Sequence, residues 1–187
     1  MKKQEAEYAP PDERIDGTLL DHSTHLLYGD IEEDNVAAAI KWIIFENLAA
    51  RTKHLTLYVN SPGGDLYQSF ALIDVMRTSV IPIHTVAVGQ AMSAAFLIFI
   101  TGARGHRYVG KYTTLMCHQY TDTPHGKHHD LVAQMQEGNR CNKRMVNIIE
   151  SATGLSHSQI RSKLLNESDV YLDAEMALEL NVANYIL

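Results

Sequence analysis

The sequence predicts a single α/β domain built from parallel βαβ units. Two observations carry this. In the first hundred residues, β-favouring apolar runs alternate with stretches of helical periodicity, and the runs end at glycine-bearing turns such as Gly29 and Asn60–Gly64. Strand and helix in that rhythm pack as a parallel sheet joined by right-handed crossovers. The 187 residues suffice for one domain with a sizeable core.

Residues Met1 to Gly17 are polar, with Pro10-Pro11 among them, and are expected to be a mobile arm. Thr24 to Tyr28 reads as a strand. Glu32-Glu33-Asp34 then places negative charge in the first turn of a helix whose buried face is expected at Val36, Ile40, Ile43, Ile44 and Leu48. His54 to Val59 alternates as a strand, with Leu55, Leu57 and Val59 on one side. The turn Asn60-Ser61-Pro62-Gly63-Gly64-Asp65 leads into a helix from Leu66 to Arg77, with Phe70, Ile73 and Met76 inward. Ile83 to Val88 is the next strand. A serine-bearing turn and a short apolar helix follow, ending near Gly102.

Beyond it, Tyr108–Val109 and Thr114–Gln119 read as strands, and Asp130 to about Ser151 as a long helix with Gly154 as its left-handed stop. Ser156 with Gln159 forms a capping box for a short helix, Asp173 caps a last one, and the chain closes over Val182–Leu187.

Composition narrows the function. Net charge is −6 and no Lys/Arg run appears, so nothing points to nucleic acid. The longest apolar run, Ala91 to Ile100, is too short to span a bilayer, and the N-terminus lacks the apolar segment of a signal peptide. Two cysteines, Cys117 and Cys141, make no disulfide framework, so a reducing, cytoplasmic setting is expected. His125-Gly126-Lys127-His128-His129 fits no closed zinc spacing and reads as an exposed loop; no metal is expected.

The residues suited to chemistry lie where elements meet. Ser93 sits in Gly89-Gln90-Ala91-Met92-Ser93-Ala94-Ala95, between a buried strand and a buried helix. It is either the helix cap, a role serine fills well, or a nucleophile placed where backbone N–H groups and the helix dipole favour an oxyanion. His118 ends a strand and shares a face with Met116, while Cys117 points the other way, which argues against a Cys117-His118 dyad. His118 is either a structural histidine or a general base. Asp169 is either a solvated loop aspartate or the acid that orients such a base. Gly63-Gly64 is either a tight turn or a backbone donor site, with the N–H of Ala94 as the second donor.

Taken together these segments resemble the Clp protease proteolytic subunit family of self-compartmentalising serine peptidases. Tyr58-Val59-Asn60-Ser61-Pro62-Gly63-Gly64 looks like its glycine turn and Gly89 to Ser93 like its nucleophile segment. Met116-Cys117-His118-Gln119 looks like its histidine strand, and Glu167 to Leu172 sits where the family keeps its acid. Gly29 to Val36 resembles the entry to its first helix. The resemblance runs from about Leu26 to the C-terminus. It departs from the usual pattern at Met92, Ala94 and Ala95 beside the serine, and at Ser168 and Val170 beside the acid.

The resemblance implies a crotonase-like spiral, with an N-terminal arm over residues 1–17 as axial gate, a peptidase domain over 18–187 and a protruding handle over about 119–155. It implies Ser93 as nucleophile, His118 as base, Asp169 as acid, and Gly64 and Ala94 as oxyanion donors. Gly63, Gln119, Tyr120 and Gly126 would contact substrate, the segment Gln119 to His129 serving as a strand that pairs with it. Tyr58, Val86, Val88 and Tyr108 would form a groove for a partner. The implied partners are further copies in a ring of seven, two rings stacked, an AAA+ unfoldase, and unfolded polypeptide. No cofactor is implied, since the unfoldase uses the ATP and this chain has no phosphate-binding GxxxxGK[ST] loop. Two other readings stay open on the sequence: an inactive ring subunit of a mixed assembly, and a crotonase-fold acyl-CoA enzyme.

Overall fold

The structure, a computed structural model, describes residues 10–187. Its centre is a twisted parallel sheet in the order β1 (Thr24–Tyr28), β2 (Leu55–Ser61), β3 (Ile83–Met92), β4 (Arg107–Val109) and β7 (Tyr185–Ile186). Helices α2 (Glu33–Ala49) and α3 (Leu66–Thr78) are the crossovers between the first three strands, as the alternating pattern requires. Leu55, Leu57 and Val59 are fully buried on the inner face of β2.

The ten-residue strand β3 changes partner along its length. Thr85 to Ala87 pair with β4, whereas Gln90 to Met92 pair with β5 (Thr114–Cys117). The change falls at Gly89, where φ is +72°, and the β2–β3 register slips at the same level, between Val59 and Ser61. The far end of the sheet is thereby turned out of line with its body, and the Ser93 segment stands there. β5 in turn carries β6 (Val170–Leu172), the one antiparallel pairing among the described residues.

Behind the turn runs α4 (Ala94–Ile100), in which all seven residues are buried. A helix apolar on every side belongs in a core. Its buried carbonyls still need donors. Thr85 Oγ1 donates to Phe99 O at 2.8 Å and Ser69 Oγ to Ala94 O at 3.0 Å. The buried guanidinium of Arg107 donates to Ile100 O at 3.4 Å and to Ala152 O at 3.0 Å. Two asparagines accept from it as well, Asn184 from Nε and Asn181 from Nη2. Arg107 thus ties α4, α5 (His128–Thr153) and the segment leading into the C-terminal strand together without a carboxylate. Burial lowers its pKa, with Arg104 adding in the same direction.

The outer face of the sheet is aromatic. Leu26, Tyr58, Val86, Tyr108 and Tyr185 form one transverse row by strand register. Beside it, His54, His84 and His106 stack, with centroids 4.3 and 4.0 Å apart and rings within 10° of parallel.

Three expectations need correction. Of the expected arm Met1–Gly17, residues 1–9 lie outside the described residues; the remainder enters helix α1 (Pro11–Asp21). Pro11 occupies the first helical turn, where its missing N–H costs nothing. On α2, Ile44 and Leu48 face outward, at 48% and 82% exposure, and the buried side is Val36, Ala39, Trp42, Ile43 and Glu46. The helix is apolar nearly all round, so its spacing does not single out the inner face. Finally, the segment expected to be a strand over Gln119–His129 is irregular up to residue 127, and α5 begins at His128. An extended segment needs a partner strand, and none of the described residues supplies one.

The rest of the C-terminal third agrees with expectation. Gly154 stops α5 at φ +78°, Ser156 and Gln159 close the capping box of α6 (His157–Lys163), and Asp173 caps α7 (Ala174–Glu179). Met145, Ile148 and Ile149 of α5 are buried, while Met135, nearer its start, is 67% exposed; the first half of α5 stands away from the domain.

Candidate active site

Ser93 is the residue between β3 and α4, and its backbone is unusual. Its φ of 53° and ψ of −119° lie outside the regions an L-residue ordinarily occupies. Such backbone costs about 1–3 kcal/mol and survives only where surrounding structure enforces it. The enforcement is visible on both sides. The Ser93 N–H donates to Met116 O on β5 at 2.8 Å, and its carbonyl accepts from Phe96 N to start α4. Ser93 therefore occupies the cap position, yet its hydroxyl makes no cap hydrogen bond. It lies 2.7 Å from His118 Nε2 instead. With Nε2 unprotonated, the hydroxyl donates and the imidazole accepts.

His118 follows directly on β5, the strand whose Met116 carbonyl pins the serine backbone. One strand end thus fixes both members of the dyad. Cys117 between them turns into the core at 1% exposure, and burial pushes its thiol pKa up, so it supplies no thiolate.

The glycine turn packs beneath the elbow. A Cβ at Gly63 would fall 2.7 Å from Ser93 Cβ and 2.8 Å from Met92 O. At Gly64 it would fall 2.5 Å from Ile31 O. Only glycines let this turn approach both the elbow and the chain at Ile31. The turn is held by the Ile31 N–H donating to Gly63 O at 2.7 Å and Asp65 N–H to Ile31 O at 2.8 Å. Ser61 Oγ accepts from Gly63 N, and Asp65 caps α3 through Tyr67 N and Gln68 N.

Ser93, His118, Gly64 and Ala94 line one cavity of about 240 Å³, with Gln119 and Tyr120 on its rim. Among the described residues, the N–H groups of Gly64 and Ala94 find no acceptor. Two backbone donors left open beside a nucleophile are what an oxyanion hole requires. Leu66, Tyr67 and Met145 supply apolar wall and are residues that sequence reasoning passed over. Leu66 and Tyr67 follow the glycine turn directly, a usable signal; Met145 carries none. A larger cavity of about 680 Å³ lies on the far side of Gln119. Neither Ser93 nor His118 lines it, so it stands apart from the serine elbow.

The remaining candidates fall as follows. Asp169 is exposed and, among the described residues, makes no hydrogen bond or ion pair with His118. It sits one residue before β6, and the antiparallel β5–β6 register, Cys117 opposite Val170, would set it opposite His118 if carried on by one residue. Gly126 lies at φ +125° against Asp130, away from the cavity lining. Tyr58, Val86 and Tyr108 stand side by side in the outer-face row, with Val88 two residues further along β3. No group of three or more metal-ligating side chains converges among the described residues, and no described helix is long and apolar enough to cross a membrane.

A parallel α/β sheet carrying a serine elbow, a histidine on the adjoining strand end and a glycine turn beneath defines a peptidase-like α/β protein. Comparison with known families agrees. The chain matches the Clp protease family over residues 12–187, and it belongs to that family. It is 30% identical over 169 residues to the ATP-dependent Clp protease proteolytic subunit 1 of Rhodopirellula baltica, covering 90% of this chain and 74% of that protein. The α/β architecture with a mostly parallel sheet accords with the crotonase-like fold of the family.

Proposed function

We propose that the chain is a serine endopeptidase subunit of an ATP-dependent, self-compartmentalising protease. The observation that carries this is the 2.7 Å contact of Ser93 Oγ with His118 Nε2, made by a serine held in strained backbone above an open pair of N–H donors. In the reaction, Ser93 Oγ bonds to the scissile carbonyl carbon as its proton passes to His118 Nε2. The N–H groups of Gly64 and Ala94 hold the tetrahedral oxyanion. The C–N bond then breaks, and the leaving amine takes the proton from His118. Water, deprotonated by His118, releases the acyl group and regenerates the serine. Asp169 accepts from His118 Nδ1–H once its carboxylate turns inward from the opposing backbone, since catalytic hydrogen bonds often tighten only in the loaded enzyme.

In the same reading the substrate is unfolded polypeptide, and Gly63, Gln119, Tyr120 and Gly126 flank its path. Copies of the chain form rings of seven, stacked in pairs. The outer-face row of Tyr58, Val86, Val88 and Tyr108 receives an AAA+ unfoldase, which uses the ATP, and residues 1–17 guard the axial entrance. Ser93→Ala is the test. The variant should lose at least about 1,000-fold in hydrolysis of a fluorogenic peptide and should not label with a fluorophosphonate. Cleavage by Ser93→Ala at the parent rate would refute the assignment.

A further inference from the structure

The gap between His118 and Asp169 is bracketed. On one side is the β5–β6 ladder, whose last pair is Cys117 with Val170. On the other side no ladder continues, and the two segments are joined by a side chain. The Gln119 amide nitrogen donates to two successive carbonyls, Leu165 O at 3.2 Å and Asn166 O at 2.9 Å. The Asn166 side chain then accepts from Ser168 N–H at 2.8 Å, which folds the chain back toward Asp169. Gln119 therefore closes the open end of the strand pair where backbone pairing stops.

A loop without that tie would be free to swing. Residues 166–169 are exposed, and the nearest ladder bonds lie beyond Asp169. Directly opposed residues in an antiparallel pair hold their Cβ atoms about 4.5–5.5 Å apart, within reach of a carboxylate turning to an imidazole. That reach exists only while the two backbones stay side by side at this level. The side chain of Gln119 is committed to this task, whatever its backbone does in the substrate path.

We propose that Gln119 is a positioning residue: its side-chain amide clasps the 165–168 loop and so holds Asp169 opposite His118. The proposal rests on the peptidase reading above and adds a residue whose side chain acts through the acid. It also explains how the acid can be placed although nothing else among the described residues bonds Asp169 to the base.

The test uses the full chain in its assembled form with a fluorogenic peptide. Gln119→Ala and Gln119→Met, the second keeping bulk without donors, should lower kcat by about 10- to 100-fold with KM nearly unchanged, the effect of a reacting group displaced by about 1 Å. The acid limb of the pH profile of kcat/KM should move to the position it takes in Asp169→Asn. Gln119→Ala added to Asp169→Asn should cost nothing further, because both remove one function. Wild-type kcat in both Gln119 variants, with Ser93→Ala inactive, would overturn the clasp and leave the peptidase reading standing. Full additivity with Asp169→Asn would also overturn it. A parent chain that neither cleaves peptide nor labels at Ser93 would remove the peptidase reading, and the clasp's catalytic role with it.

Discussion

Replacing Gly63 by alanine tests how tightly the turn and the elbow are joined. The new methyl would lie 2.7 Å from Ser93 Cβ, 2.8 Å from Met92 O and 3.3 Å from Ala94 N. Each of these atoms is backbone or fixed directly to backbone, so no flexible side chain can yield. Gly63 also sits at φ +105°, where an L-residue is strained by about 1–2 kcal/mol. Overpacking adds about 1–3 kcal/mol, giving a sum of about 2–5 kcal/mol. In a domain of this size each kcal/mol moves the melting temperature by about 2–4 °C, so a drop of roughly 4–20 °C is expected. The loss in activity should be larger than stability accounts for. Relief of the clash moves either the Gly64 donor or Ser93 itself, and a shift near 1 Å costs on the order of 100-fold. Calorimetry and peptide hydrolysis on the same preparation separate the two effects. Gly17→Ala is the control: among the described residues no atom lies within 4 Å of its added carbon, and it should stabilise α1 by about 0.5–1 kcal/mol. Wild-type melting temperature and kcat/KM in Gly63→Ala would refute the packing of the turn beneath the elbow.

Two further outcomes follow from the interior and the outer face. Arg107→Met keeps the bulk but removes the donors to Ile100 O and Ala152 O; orphaned buried carbonyls should cost about 2–4 kcal/mol, read as a lower urea midpoint. His84 has its pKa pushed down to about 4 by burial, then by His106 and His54. Its unfolded value is higher, near 6.5. The stability it contributes is therefore complete above about pH 6.5 and is lost as pH falls toward about 4. Discounted for a ring partly open to solvent, the loss should be about 1–2 kcal/mol, and His84→Leu should flatten that part of the urea midpoint-against-pH curve.

Much of this was legible in the chain itself. Leu55, Leu57 and Val59 alternate and are buried as read, because a strand at a core has only two faces to choose from. Gly154, Ser156 and Asp173 mark helix ends, because caps are local chemistry. The serine elbow showed in the jump from a β-favouring run to small residues and then to an all-apolar helix. What did not show was set by distance in sequence. Nothing in the sequence marks Arg107 as buried, because the carbonyls and asparagines that satisfy it lie up to 77 residues away. Ile44 and Leu48 read as core because α2 is apolar on most of its circumference. Pro10-Pro11 reads as a break, although proline in a first turn starts a helix as readily as it ends one. The placement of Asp169 depends on the β5–β6 register, which no local pattern encodes, and Gln119 gave no sign that its amide reaches Leu165 and Asn166.

The partner change along β3 bears on the order in which the molecule assembles. The elbow, its histidine and the strand pairing between them lie within residues 83–118, separated by short connections. Contacts close in sequence form with little loss of loop entropy and so tend to form early. Asp169 arrives just ahead of β6, which pairs with β5 only after the whole of α5 and α6 has been made. A chain still being synthesised, or one cut before residue 169, would carry Ser93 and His118 without Asp169. Under the proposed function, late delivery of Asp169 would leave the half-built site without its acid until the domain is closed.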